Sequence, residues 1–107
     1  LFMVAAAGLT GLSAKNAWKI FKRDRYNHAS PNSAQTEAAM AGALGVQLAG
    51  DAWYFGTLYK KKTIGDALRP VECEDIRRAN RLMYASAGLL LIVVMLLYCS
   101  FNILTLL

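Results

Sequence analysis

Residues 82–107 read LMYASAGLLLIVVMLLYCSFNILTLL, without one charged side chain. A helix needs roughly 20 apolar residues to cross a bilayer. This segment predicts a membrane-spanning helix with some length left for tilt. The stretch before it, residues 72–81 (ECEDIRRANR), has acids first and bases last. That order complements a helix macrodipole, and Glu74/Arg78 and Asp75/Arg78 fall at supporting spacings. It predicts a surface helix leading rigidly into the span.

The opposite end, residues 1–14 (LFMVAAAGLTGLSA), is also apolar but too short to cross. No basic stretch precedes it, as a signal peptide would require. It is expected to be the end of a transmembrane helix within a longer polypeptide. Ala7 and Gly11 offer a small-xxx-small face for close helix contact. All charged side chains lie between Lys15 and Arg81, so the net charge of +5 belongs to the middle of the 107-residue chain. With 56% hydrophobic residues and a mean hydropathy of +0.32, this is a membrane protein's layout. The fold class expected is an all-α helical integral membrane protein in three parts. Residues 1–14 end one transmembrane helix, 15–81 form a charged segment, and 82–107 form a second transmembrane helix. The basic balance places the charged segment on the cytoplasmic side. No nucleic-acid module is recognisable.

Cys73 and Cys99 lie far apart in unlike surroundings, and His28 is the single histidine. Without ligand spacing they predict free thiols rather than a zinc site or a disulfide. Residues 15–25 (KNAWKIFKRDR) mix lysines with Trp18, a juxtamembrane pattern. Asp24, between Arg23 and Arg25, is expected to stay ionised, ready to bind a metal or orient an arginine. Ser30-Pro31-Asn32 reads as a turn. Thr36 is then placed to cap a helix over residues 37–50 (EAAMAGALGVQLAG), with Glu37 in its first turn. Such a helix start is a ready anion site. At about 21 Å that helix is too short to span, and Ala38/Gly42 and Ala41/Gly45 predict that it packs backbone-close to a neighbour. Residues 51–62 (DAWYFGTLYKKK) read either as an interfacial aromatic cluster with a basic flank or as a stacking platform for a planar ring. Residues 63–70 (TIGDALRP) form a connector bearing Asp66 and Arg69.

No glycine-rich phosphate loop, dinucleotide fingerprint, zinc-protease motif or nucleophile elbow occurs. Carboxylates with arginines suit Mg²⁺ and phosphate, because hard oxygens hold Mg²⁺ and guanidinium forks match phosphate. The residues alone thus predict a membrane protein with a cytoplasmic anion and metal site.

The motif order is more specific. Arg23-Asp24, five residues, then Ser30-Pro31-Asn32 are followed by EAAMAGALGVQL from Glu37, YFG at 54–56, IGDALRP at 64–70 and EDIRRANRLM at 74–83. This order resembles the C-terminal part of the CobD/CbiB family, the adenosylcobinamide-phosphate synthases of cobalamin biosynthesis. The resemblance implies ATP-dependent amide formation that joins adenosylcobyric acid to aminopropanol or its phosphate. It implies ATP and Mg²⁺ as cofactors. The partners it implies are the corrinoid, the amine, the lipid bilayer and the rest of a full-length chain or other subunits. The setting is a multi-pass protein of the cell membrane, in which this stretch alone would be inactive. Arg23, Asp24, Ser30, Pro31, Asn32, Glu37, Asp66 and Arg69 match the family's motifs. The roles expected are Asp24, Glu37 and Asn32 in catalysis, and Arg23, Ser30, Asp66 and Arg69 for substrate or phosphate. Asp24, Glu37 and Asp66 are expected to hold Mg²⁺. Where the family has Ala-Gly-aromatic-Pro, this chain has Ser33-Ala34-Gln35-Thr36, which restricts the turn and removes a preset helix start. The competing reading is a non-catalytic membrane subunit with a basic cytoplasmic face.

Overall fold

The computed structural model describes residues 1–27 and 30–107; the reading of His28 lies outside the described residues. Four helices carry the chain: α1 (Phe2–Leu9), α2 (Ala14–Asp24), α3 (Pro31–Leu44) and α4 (Glu74–Leu106). Between α3 and α4 stand four short strands: β1 (Leu48–Ala49), β2 (Ala52–Tyr54), β3 (Thr57–Tyr59) and β4 (Thr63–Ile64). The architecture is therefore mostly helical rather than all-α.

The apolar segment 1–14 divides. The helix stops at Leu9, Gly11 takes a left-handed φ of 78°, and Ser13 starts α2 by accepting the Asn16 N–H on its hydroxyl at 3.1 Å. Gly11 thus falls outside the helix, and the Ala7/Gly11 face does not form. Ala6 and Ala7 are buried instead, in a cluster with Ala17, Ala43 and Leu82.

α3 also differs from expectation. It starts at Pro31 with Ser30 as its N-cap residue, because proline's fixed φ and missing N–H suit a first helical position. Thr36 lies inside the helix, with its hydroxyl on the Ser33 carbonyl at 3.1 Å, so it caps nothing. The helix ends at Leu44 rather than Gly50, because Gly45 adopts the left-handed C-cap (φ 70°) and returns its N–H to Ala41.

The close packing of α3 is as expected at Ala38, Ala41 and Gly42, while Gly45, beyond the helix end, takes no part in that face. Ala38, Ala41 and Gly42 are buried, and a Cβ on Gly42 would lie 2.6 Å from the Asn16 carbonyl oxygen and 2.8 Å from the Ala17 Cα. The α2 and α3 backbones touch there. Asn16 Nδ2 donates to the Gly42 oxygen at 2.7 Å across the seam. Among the described residues the largest fully buried side chains are Ile20, Ile64, Leu82 and Val46. At about 1.5–3 kcal/mol each, so few large side chains leave alanine-lined backbone contact as much of the core.

Residues 48–64 form one interrupted antiparallel arm. β1 pairs β4 (Leu48 with Ile64), and β2 pairs β3 (Ala52 with Tyr59, Tyr54 with Thr57). Gly50 and Asp51 on the outgoing side face Lys60, Lys61 and Lys62 on the return, the two-against-three count of a bulge. Asp51 Oδ1 accepts the Lys61 N–H at 3.0 Å where the ladder breaks. Phe55 (φ 52°) and Gly56 (φ 78°) make the tip, the positive-φ pair of a type I′ turn.

α4 joins the charged and apolar C-terminal stretches into one 33-residue helix. It is the one helix among the described residues long and apolar enough to cross a membrane. α1 packs on its first apolar turns, where Met3, Val4, Ala85 and Leu89 gather around the cluster that holds Ala6, Ala7 and Leu82. Beyond Leu89 its side chains stand exposed.

Candidate functional site

The Arg23-Asp24 motif and the IGDALRP motif meet at the end of α2. Asp24 is 4% exposed, and both its oxygens are engaged. Arg23 Nε donates to Oδ1 and Nη2 to Oδ2, each at 2.8 Å, and the Gly65 N–H donates to Oδ2 at 2.7 Å. Asn27 Nδ2 adds 3.3 Å to Oδ1 and 3.2 Å to the Thr63 oxygen. The same guanidinium reaches Asp66, with Nη1 at 3.0 Å from Oδ2 and Nη2 at 2.9 Å from Oδ1. Gly65 is required. Its φ is +83°, and a Cβ would sit 2.5 Å from the Val46 oxygen and 2.8 Å from the Ala41 Cβ. Ile64, buried on β4 opposite Leu48, anchors this approach. The hydrogen bonds from Arg23 hold the Asp24 carboxyl below the usual carboxylate range, against burial, with the Gly65 N–H adding to the effect. Bonds to Asp24 and then Asp66 raise Arg23 in turn.

A second network gathers on Arg69. Its Nε donates to the Leu44 carbonyl at the end of α3 (3.0 Å), and its Nη1 to Asp75 Oδ2 (3.0 Å). Its Nη2 pairs with Asp75 Oδ1, which also takes Arg78 Nη1 at 3.0 Å. Arg78 reaches Glu72 as well, and the Glu72 N–H donates to Asp75 Oδ2 at 2.9 Å. Arg69 therefore ties the C-terminus of α3 to the N-terminus of α4. Both arginines expected to bind phosphate carry carboxylate partners within the chain.

Glu37 is placed differently. Its Oε1 accepts the Ser33 hydroxyl at 2.6 Å, one turn back on α3. The side chain lines two cavities. One, of about 370 Å³, is apolar and lies toward α4, with Met40, Asn80, Met83 and Ser86 in its wall. The other, of about 460 Å³, lies at the base of the β-arm and includes Asp51, Tyr54 and Lys61. Ser30 and Asn32 stand at the start of α3, both exposed.

Of the residues singled out from the sequence, Arg23, Asp24 and Asp66 are brought together. Arg69 belongs to the α4 network, and Glu37 faces the cavities. Among the described residues no three Asp, Glu, His or Cys side chains gather as a metal-binding set. Cys73 and Cys99 are free and exposed, as expected. Asp51, Lys61 and Asn80 went unremarked in the sequence as cavity residues. Only Asp51 carries a usable signal, an acid directly after Gly50 and two residues before the aromatic run that starts at Trp53.

The comparisons with known proteins agree on kinship. A family model described as CobD/Cbib protein matches residues 1–83. The chain is 50% identical over 90 residues to the cobalamin biosynthesis protein CobD of Desulfotalea psychrophila, across 84% of this chain and 27% of that protein. It is 44% identical over 101 residues to CobD of Clostridium perfringens, across 94% of this chain and 32% of that one. To the cobalamin biosynthesis protein CbiB of Salmonella typhimurium it is 46% identical over 102 residues, across 95% of this chain and 32% of the relative. The chain thus spans about a third or less of these relatives. No solved structure matches it. With the family model covering residues 1–83 of 107 and relatives at this level of identity, the chain belongs to the CobD/CbiB family.

Proposed function

We propose that this chain serves in cobalamin biosynthesis as part of an adenosylcobinamide-phosphate synthase held in the cell membrane. The observation that carries the reading is the 44–50% identity to CobD and CbiB proteins named for that pathway, along most of this chain. In the reaction proposed, ATP phosphorylates the side-chain carboxylate of adenosylcobyric acid. The amine of aminopropanol or its phosphate then attacks the acyl carbon, and inorganic phosphate leaves as the amide forms. Phosphoryl transfer depends on positioning and charge neutralisation, so a site without a side-chain nucleophile can perform it.

Glu37 is the acid best suited to meet substrate, because it faces open cavities while Asp24 and Asp66 are held by Arg23. Asn32 and Ser30, at the start of α3, are proposed to orient a polar substrate group. Arg23, Asp24 and Asp66 are proposed to fix the loop after β4, and Arg69 to fix the α3–α4 junction. Magnesium commonly rides on substrate phosphates with one or two carboxylates, and Glu37 and Asp51 are the pair that share a cavity here. The apolar length of α4 supports a membrane crossing, with the basic segment on the cytoplasmic side.

The test is complementation. The full-length gene containing this segment goes into a host that lacks the synthase and needs cobalamin made from cobyric acid. Growth is expected, with loss on Glu37→Gln while the protein still reaches the membrane. No growth despite membrane-inserted wild-type protein would overturn the reading. The internal pairing of Arg23 and Arg69 favours the second reading, a non-catalytic membrane subunit, which predicts that outcome.

A further inference from the structure

The outer part of the β-arm presents apolar and aromatic side chains to solvent. Trp53 is 71% exposed and Phe55 fully so, with Tyr54, Leu58 and Tyr59 also exposed. Within the arm, Tyr54 lies edge-on to Tyr59 at 5.6 Å, and Lys61 Nζ sits 4.6 Å from the Tyr54 ring. Phe55 holds the tip with a left-handed backbone, a position where Asn or Gly fits with less strain and bulky residues are uncommon. The bulged return strand sets Lys60, Lys61 and Lys62 midway along the arm, between its two ladders, all exposed. Asp51, beside them, accepts the Lys61 N–H on its carboxylate.

We propose that this arm seats in the headgroup layer of an anionic bilayer. Trp53, Phe55 and Leu58 enter the headgroup–acyl boundary, about 5–10 Å deep, and Lys60–Lys62 meet lipid phosphates. Tryptophan and tyrosine beside lysine are the composition of a membrane–water interface, and clustered lysines draw anionic lipid. Protein–protein interfaces share the aromatics but are depleted in lysine. The proposal rests on α4 crossing the same bilayer, to which the arm is tethered by the short segment after β4. Seating also bears on the cavity at Glu37, since Asp51, Tyr54 and Lys61 of the arm line part of its wall.

The test uses the full-length protein in lipid nanodiscs, with its other cysteines replaced by serine. A nitroxide is placed at Thr57→Cys, beside the tip, or at Val94→Cys, within α4. Discs of phosphatidylcholine are compared with discs that also contain phosphatidylglycerol. In the anionic discs the label at 57 is expected to be several-fold less accessible to a water-soluble nickel chelate, while oxygen still relaxes it. Phe55→Asp returns it to water, and the triple Lys60→Gln, Lys61→Gln, Lys62→Gln change removes the difference between lipids. A label open to nickel in both discs, shielded from nickel and oxygen alike, or seated equally in both lipids overturns the proposal; shielding from both would mean that protein covers the arm. A label at 94 outside the hydrocarbon would overturn the α4 reading itself, an outcome distinct from failure at 57 alone.

Discussion

Gly42→Ala adds one methyl group where α2 and α3 meet through their backbones. The new Cβ would lie 2.6 Å from the Asn16 carbonyl oxygen, 2.8 Å from the Ala17 Cα and 2.9 Å from the Ile20 Cβ. None of these atoms ends a flexible side chain, so no rotamer change makes room. Ordinary contact begins at 3.4 Å, so the helices must part by about 0.8 Å. Overpacking of this kind typically costs about 1–3 kcal/mol. Parting also stretches the Asn16 Nδ2 bond to the Gly42 oxygen, worth about 1 kcal/mol. Alanine's better helix propensity returns about 1 kcal/mol. The steric effect wins, for a net loss of about 1–3 kcal/mol. Gly88→Ala is the internal control, since a Cβ there meets nothing within 4 Å. The assay is thermal unfolding of the full-length protein in nanodiscs. At about 2–4 °C per kcal/mol for chains of this order of size, Gly42→Ala should lower Tm by several degrees while Gly88→Ala leaves it level or slightly raised. Equal Tm values for the two variants would refute backbone contact between α2 and α3.

Acid should expose the Asp24 clamp. Its carboxyl sits below the ordinary value of about 3.9, so the stability it contributes is complete above that pH and is lost as pH falls through the lower folded value. Unfolding followed from pH 6 downward should show an acid slope below about pH 4 that Asp24→Asn reduces; an unchanged slope would count against the clamp. Gly65→Ala should destabilise clearly more than Gly56→Ala, because both carry positive φ but only Gly65 is walled in by Val46 and Ala41. Equal effects in thermal unfolding would deny that contact. Arg69→Leu should raise hydrogen exchange at both the end of α3 and the start of α4, since one side chain serves Leu44 and Asp75; a change at α4 alone would reject the tie. In complementation, Glu37→Gln should abolish growth at normal protein level, whereas Asp24→Asn should act mainly by lowering that level.

What could be read from the sequence followed the range of the forces involved. The charge-free run at 82–107 needs no partner to declare a helix, and α4 is helical through Leu106. Small residues at Ala38, Ala41 and Gly42 announce close approach because their spacing is itself the surface that approaches. The ends of α3 differ from the sequence expectation because two local signals compete. Pro31 after Ser30 opens a helix as readily as it marks a turn, and Gly45 rather than Gly50 takes the left-handed stop. The β-arm was not legible at all. Its strands are two or three residues long, too short for alternation to show, and its register depends on a bulge and on Asp51 reaching Lys61. The candidate site divides in the same way. The pairing of Asp24 with an arginine beside it is local and was readable. That Asp66 would arrive on the same guanidinium depends on Gly65 fitting against Val46 and Ala41, and this is packing that no spacing encodes. The division also orders the chemistry. Ionic groups fixed by packing act through the backbone that they hold, whereas Glu37, on the wall of two cavities, is left beside open volume.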